Sequence, residues 1–375
     1  MAFVNSPKVT LIKSTPECLK LTMANVNVSH ANALRRIMLS DIPVAVLKSP
    51  VITINTSRMN NEILKQRLRC VPVHMLPDQR EQYQVYLHVK NLSQTVLEVT
   101  TNDFKLISLS PLLDLTMSTT NTLPLIEDVF PPADPGITKK YFDKLYYILL
   151  LRLLPEEEIE LNCPIEVDHH SNDGSFNVVS ELGFQHTQVG LDVLQQLRKE
   201  KQKLLQDEFP HDDAAVQSLL LDWDKIDAKR HTVPDSFDFS ICSAGAFTNK
   251  SILMKAILIM LDKLEHFLKK SPALWSKQDV LVTNVEHCFH VSLDGKDDTL
   301  GRVLEYHLLE MYYEKDKRLS FCSYNAPHPH LNESYIRLVF NSHASAQTLH
   351  ECLETTVSKA KTIYMHLYTL MEKLI

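Results

Sequence analysis

Apolar and polar residues alternate at the start of the chain. Lys8-Val9-Thr10-Leu11-Ile12-Lys13, a turn at Ser14-Thr15-Pro16-Glu17, and Leu19-Lys20-Leu21-Thr22-Met23 spell a β-hairpin. The period then lengthens. Ala33, Leu34, Ile37 and Met38 share one face of a helix that Ser29 can cap and Pro43 ends, while Arg35 and Arg36 project elsewhere. Val44–Leu47 and Val51–Ile54 are β-rich. Asn55-Thr56-Ser57 supplies loop and capping residues before a second amphipathic helix over Met59–Leu68, with Met59, Ile63 and Leu68 inward and Pro72 closing it.

From His74 to about Asn177 the pattern shortens to strands with turn residues, including Tyr83–Val89, Thr95–Thr101 and Glu158–Val167, which predicts a mostly β insertion. Residues 188–230 carry two charged helical stretches, Leu191–Gln206 and Ala214–Lys229, expected to form a solvated insert. Then the first plan returns. Ser236–Ile241 alternates, Ser243-Ala244-Gly245 turns, and Ser251–Leu268 is helical. Leu253, Ile257, Met260, Leu261, Leu264 and Leu268 line one side of that helix, and Ile252, Ala256 and Ile259 widen the stripe, so it needs cover on more than one side. Lys269-Lys270-Ser271-Pro272 makes a plausible linker. Beyond it come a strand Cys288–Leu293, a helix from Thr299, a strand Tyr335–Phe340 and a long closing helix. In the last, Leu353, Ala360, Leu367 and Leu374 recur every seven residues, interleaved with Leu349, Thr356, Ile363 and Leu370. That is a seam for another helix, and Ser251–Leu268 is the expected partner.

The two helices after the hairpin and after the linker resemble each other. Ser29-His30-Ala31-Asn32-Ala33-Leu34 aligns without a gap on Thr299-Leu300-Gly301-Arg302-Val303-Leu304, pairing a capping hydroxyl, a small residue and a leucine. The chain therefore reads as two versions of one unit, a dimer made covalent. Arg35-Arg36 in the first helix stands where the second has Glu305-Tyr306, which predicts different outward surfaces.

Composition narrows the function classes. With 375 residues and 44% apolar content the chain can bury two or three cores. A net charge of -7 gives no global attraction for nucleic acid. Seven scattered cysteines without a CxxC pair point to free thiols in a reducing compartment, and the opening Met-Ala-Phe-Val-Asn lacks a signal-like pattern. No apolar run suits a bilayer span, since Leu145–Leu154 is short and interrupted by Arg152, and no membrane partner is expected. Nucleophile-elbow, P-loop and HExxH motifs are missing, and the seven glycines are few for a phosphate cradle. Asp168, His169, His170 and Asp173 could be offered as metal ligands, as could His287, Cys288 and His290. Solvated turn residues, and strand alternation that sends His287 and Cys288 to opposite faces, argue against both. His328 and His330 flank Pro329 in a loop. No cofactor is expected.

The stretches Asn32–Pro43, Val51–Ser57 and Asn61–Val73 together resemble the signature of the alpha-like subunits of multisubunit RNA polymerases: bacterial alpha, archaeal D and the third-largest subunit of RNA polymerase II. Leu151–Leu161 and Phe237–Leu264 are similar to the segment in which that family returns from its insertion and to its closing strand and helix. Asp297–Leu304 and Tyr324–His330 resemble the smaller partner, the eleventh subunit or archaeal L, although Asp298 and Arg302 replace the usual His and Asn.

The resemblance implies an α+β fold of two fused dimerisation units: a third-subunit-like half at 1–272, carrying the insertions 73–177 and 188–230, and an eleventh-subunit-like half at 273–375. It implies a non-catalytic scaffold for a DNA-directed RNA polymerase, contacting the largest and second-largest subunits and a small tenth-subunit-like protein, with nucleic acid reached only through the complex. Docking would use Asn32, Arg35, Arg36, Asn55, Thr56, Ser57, Glu62 and Arg67, since arginine can make bidentate contacts. The halves would join through Ile252, Ala256, Ile259, Leu349, Leu353, Ala360, Ile363 and Leu367. The zinc site of many third-subunit relatives should be missing, because the insertion holds only Cys163, and polymerase contacts around Asp168–Gly174 are in doubt. A fused pair is the arrangement associated with large DNA viruses, which implies host cytoplasm and virion, with the nucleus as alternative. The competing readings are a stand-alone dimerisation protein and a histidine-based metalloenzyme.

Overall fold

The computed structural model describes residues 6–75, 83–108, 125–132, 145–277, 287–293, 295, 297–328 and 330–374. The opening residues 1–5, most of the middle of the predicted β insertion and Pro329 lie outside the described residues. In chain order the elements are β1 (Lys8–Ser14), β2 (Leu19–Ala24), α1 (Val28–Ser40), β3 (Val44–Leu47), β4 (Val51–Asn55), α2 (Asn61–Arg69), β5 (Tyr83–Lys90), β6 (Leu97–Thr100), β7 (Lys105–Ser108), α3 (Ile126–Val129), β8 (Leu149–Leu153) and β9 (Glu158–Asp168). They continue with β10 (Val179–Gln188), α4 (Leu191–Glu208), α5 (Asp213–Lys225), β11 (Thr232–Ser243), α6 (Asn249–Leu274), β12 (Trp275–Lys277), β13 (Cys288–Leu293), α7 (Asp298–Leu308), β14 (Leu319–Asn325), β15 (Ser334–Phe340) and α8 (Ala346–Leu374). The class is α+β. Two compact units result, one of 1–37, 181–242 and 253–375, the other of 38–180 and 243–252. This division cuts across the two sequence halves: the first unit contains parts of both.

In the first unit, β1, β2, β11 and β10 form one sheet in that order, and β12, β13, β15 and β14 form another. Alternation explains both. Met23, Leu21 and Leu19 lie opposite Phe237, Phe239 and Ile241 in the antiparallel register, and all six are buried. The other face is polar, where Thr22 donates to Asp238 at 2.7 Å. In the second sheet Phe289 faces Leu338 and Val291 faces Ile336, again buried pairs. Cross-strand apolar pairs of this kind are the unit of sheet stabilisation. The charged insert forms the hairpin of α4 and α5 around Leu205, Val216 and Leu220, with Arg198 bonding both carboxylate oxygens of Asp224.

Three sequence expectations need correction in the helices. Helix α6 runs through Lys269–Pro272, so the expected linker is helical; a proline this close to a helix end forfeits few backbone bonds. The buried face of α8 is Leu349, Leu353, Thr356, Ala360, Tyr364, Leu367 and Met371, with Cys352 and Val357 beside it. Those seven are spaced by four, three, four, four, three and four, near the 3.6 of a straight helix, so the heptad phase drifts: Ile363 and Leu370 are half-buried and Leu374 is exposed. α8 packs on α7 and β1. It also meets the expected partner α6 through a 2.8 Å ion pair between Lys361 and Glu265. In α2 the inward residues are Leu64 and Leu68, and Ile63 points out, because the helix starts at Asn61 after an Asn60 cap.

In the second unit the long β9 is the organiser. β3 and β4 pair with its two ends, β5 pairs along its other edge, and β7 extends the sheet from β5. Beneath it lie Leu64 and Leu68 of α2 with Val85, Leu87, Leu161 and Cys163. Gly245, at φ +115°, closes this unit, since a Cβ there would sit 3.0 Å from the Pro72 ring.

Candidate assembly interface

Helices α1 and α7 begin alike, but on earlier residues than the sequence suggested. The Asn27 carboxamide oxygen accepts from Ser29 N at 2.9 Å and its backbone carbonyl takes the first helical bond, from Ala31 N; the Asp297 carboxylate accepts from Leu300 N at 2.9 Å. Asn27 and Asp297 are therefore the caps, separated by the same offset that aligns Ser29 with Thr299. Neither hydroxyl caps its helix. Thr299 Oγ1 accepts a 2.9 Å bond from Arg36 Nε, and Ser29 Oγ is buried without a hydrogen-bond partner. The expected capping roles are corrected because Asn and Asp cap as well as Ser.

The two helices cross antiparallel. His30 meets His307, with the Nε2 atoms 2.8 Å apart, while six residues further on Arg36 meets Thr299 and lies 3.8 Å from Asp298. Contacts that run forward on one helix and backward on the other place the crossing between Ala33-Leu34 and Val303-Leu304, all fully buried. These are equivalent positions in the repeat. An interface in which equivalent patches meet each other is the arrangement of a two-fold dimer, here within one chain. The four residues of Arg35-Arg36 and Glu305-Tyr306, expected to differ on the outward surface, are exposed or half-exposed and also make contacts of their own. Arg36 reaches the second half, Glu305 accepts from the Tyr324 backbone N at 2.9 Å, and Tyr306 lies beside His30. Arg35 bonds Asn32 Oδ1 at 2.8 Å.

The histidine pair was not anticipated, although both residues sit on the apolar helix stripe, and that position is the signal that could have found them. Both are buried, and Tyr364 of α8 packs edge-on against His30 at 5.0 Å. Burial holds His30 well below the ordinary imidazole range, with His307 and Lys359 adding to the effect. Burial, then Lys359, lowers His307 to about 4 against the opposing pull of Glu310. Burial pushes the Glu310 carboxyl up, yet Lys315 and Lys359, at 2.6 and 2.7 Å, together hold it at about 2. Both rings are thus neutral at pH 7, and one Nε2–H donates to the other ring. A cavity of about 910 Å³ opens beside the pair, lined by Asn25, Val26 and Asp235 from one half and Tyr306, Glu310 and Lys359 from the other.

A pH dependence follows. An unfolded chain binds protons at these histidines near pH 6.5, whereas folded His307 does not until about pH 4 and folded His30 is likewise held well below the ordinary range, so stability is complete above 6.5 and falls as pH drops below it. For His307 alone the loss amounts to on the order of 3 kcal/mol. Urea titrations from pH 7 to 4 should show this slope, and it should flatten in a His30→Phe/His307→Leu variant, in which both polar partners are removed together.

The remaining candidates lie in the second unit. Asn55 knits its loop, donating to Met59 O at 2.9 Å and to Asn61 Oδ1 at 2.6 Å and accepting from Ser57. Thr56 ties that loop to the start of β9, its Oγ1 accepting from Glu158 N at 2.7 Å. Glu62 pairs with Lys65, and Arg67 donates to Leu149 O at 3.2 Å with its side chain exposed. Ile63, Gln66 and Arg67 make an exposed strip on α2. Of the metal candidates, Asp168 and Asp173 serve as turn acceptors, Asp168 for His169 N and Asn172, Asp173 for Ser175; the Ser175 bonds hold Asp173 at about 2. His290 accepts from Arg337 Nε at 2.7 Å and stacks on Tyr335. Among the described residues no three His, Cys, Asp or Glu side chains converge to hold a metal ion.

A sheet and helix from each half, joined by antiparallel crossing helices, define a dimerisation-domain protein. The chain belongs to the family described as the RNA polymerase Rpb3/Rpb11 dimerisation domain, which matches residues 20–264 and, in a second form, residues 288–368. Among similar proteins are the DNA-directed RNA polymerase subunit Rpo3 of Pyrobaculum islandicum, 39% identical over 67 residues, or 18% of this chain and 26% of that one. The DNA-directed RNA polymerases II, IV and V subunit 3 of Arabidopsis thaliana is 33% identical over 67 residues, 18% of this chain and 21% of the relative. The human DNA-directed RNA polymerases I and III subunit RPAC1 is 31% identical over 75 residues, 20% and 22% of the two chains. The chain thus spans about a quarter of the length of these curated relatives.

Proposed function

We propose that this protein is a non-catalytic assembly subunit of a multisubunit DNA-directed RNA polymerase, with both members of the dimerisation pair in one polypeptide. The observation that carries this reading is the α1–α7 crossing, which joins two family-matching segments inside one compact unit. Fusion makes the pairing intramolecular, at effective concentrations of about millimolar for a suitable linker, and fixes the ratio of the halves. The finished dimer then serves as a platform for the largest and second-largest subunits and a small tenth-subunit-like protein. Fusion also favours an origin in a large DNA virus, with the host cytoplasm and virion as its location. Mass spectrometry of the complex that co-purifies with the tagged native protein tests these assignments together; a preparation free of large polymerase subunits would refute them.

The docking surface has its own test. Arg36 is engaged by Thr299 and Asp298, so Arg36→Glu would disturb the crossing as well as any outer contact. Arg35→Glu combined with Arg67→Glu avoids the Thr299 contact. This double variant should keep its melting temperature yet lose about tenfold in large-subunit capture, roughly 1.4 kcal/mol. Unchanged capture would remove these arginines from the interface.

A further inference from the structure

We propose that Cys18 and Cys242 form a peroxide-responsive dithiol that closes to a reversible disulfide. The argument begins with register. β2 and β11 pair antiparallel up to Leu19 opposite Ile241, so the next residues, Cys18 and Cys242, face each other. The backbone shows which kind of pair this is. Cys18 N donates to Thr15 Oγ1 at 3.1 Å and Cys18 O accepts from Thr15 N at 3.0 Å, so both groups point into the β1–β2 turn and away from β11. The pair is therefore of the non-hydrogen-bonded type, in which Cα atoms lie about 4.5 Å apart and side chains are closest. That separation falls inside the roughly 4.4–6.8 Å range a disulfide spans.

The surroundings suit the chemistry. Leu19 and Ile241 point into the core, so the cysteines lie on the opposite face with exposed Lys20, and both are half-exposed. Cys18 Sγ is 3.3 Å from Ser240 Oγ. The hydroxyl of Ser240, the second thiol and the charge of Lys20 all favour the Cys18 thiolate and lower its pKa, while Cys242, which faces that thiolate, is pushed up to about 11. One thiol is thus poised as nucleophile and its neighbour stays protonated. The contrast with the buried cysteines is sharp: burial raises Cys288 and Cys352, and takes Cys163 and Cys322 to about 12. Desolvated thiols are inert.

The steps balance with hydrogen peroxide as oxidant. The Cys18 thiolate attacks one peroxide oxygen, the O–O bond breaks, hydroxide leaves and a sulfenic acid forms. Cys242 sulfur then attacks the sulfenic sulfur, the S–O bond breaks, the thiol proton joins the departing hydroxide as water, and the disulfide remains. A dithiol reductant reverses the process. The closed bond would staple the hairpin turn to the far end of β11, adding a covalent link between residues distant in sequence.

The test uses the full chain exposed to hydrogen peroxide under native conditions, followed by non-reducing peptide mapping. A Cys18–Cys242 linked peptide should dominate, vanish on dithiothreitol treatment and raise the melting temperature while present. In Cys242→Ser the product should stop at a Cys18 sulfenic acid, captured by a dimedone probe, and Ser240→Ala should slow that capture. The proposal is overturned if the pair stays reduced while the exposed free cysteine Cys70 oxidises, or if Cys242→Ser leaves Cys18 unlabelled. Repeating the oxidation on the assembled polymerase tells whether the pair responds there; protection in the complex would restrict the dithiol to the free subunit and overturn any role during transcription.

Discussion

Leu353→Asp combined with Leu367→Asp should abolish cooperative unfolding at 25 °C. Both leucines are fully buried on the inner face of α8. Truncating a buried leucine costs about 2–5 kcal/mol, and an aspartate adds the burden of an unpaired carboxylate or its forced protonation. Two such changes, with the carboxylate burden added, are as large as a typical domain stability of about 5–15 kcal/mol. The informative control is Leu374→Asp. It belongs to the same sequence heptad as Leu353 and Leu367 but is 39% exposed, so its melting temperature should hardly move. Circular dichroism melts of both variants separate a straight 3.6-residue face from a true heptad seam. Equal effects, or a normal transition in the double variant, would refute the packing described here.

Gly301→Ala is expected to be the most damaging small substitution. A Cβ at this position would drive into the ring of Tyr324, at Cδ2 and Cε2. That ring has little room to yield. Its hydroxyl donates to Asp298 at 2.8 Å, its backbone N is held by Glu305 at 2.9 Å, and Arg302 lies over its face at 5.2 Å. Overpacking of this kind costs about 1–3 kcal/mol or more. In a Tyr324→Ala background the penalty should disappear, and the change should stabilise by up to about 1 kcal/mol because alanine is the better helix former. A double-mutant cycle by urea denaturation measures the coupling. Additive effects would show that the glycine has another purpose. Ala31, the equivalent residue of α1, already carries a Cβ and is buried, so the two-fold likeness of the crossing is not carried into the tyrosine contact.

Much of the fold was legible in the sequence. The hairpin, the strand at 288–293 and the α1, α6 and α8 helices appear where alternation or helical spacing placed them, because each buries one face and leaves the other wet. The errors are local and physical. Ser29 and Thr299 looked like caps because a hydroxyl before an apolar stripe is a good cap, yet Asn27 and Asp297 stand two residues earlier and do that work. Ile63 was assigned inward from a helix start two residues early. The α8 stripe was assigned to heptads because 3.5 and 3.6 diverge only slowly. The docking candidates also carry bonds that no local pattern shows. Asn55, Thr56 and Ser57 have their polar atoms committed to loop and strand bonds, and Arg36 to the second half, information that resides in no single segment.

By itself, the sequence determined that this protein has two related units and which residues line their apolar faces. Periodicity and a repeated motif are local properties, written where they act. Only the tertiary structure decided which faces meet. It brought His30 to His307, joined the exposed Arg36 to Thr299, and set Cys18 opposite Cys242. Those pairings join residues more than two hundred positions apart, and their partners are selected by packing and strand register, which no local pattern encodes.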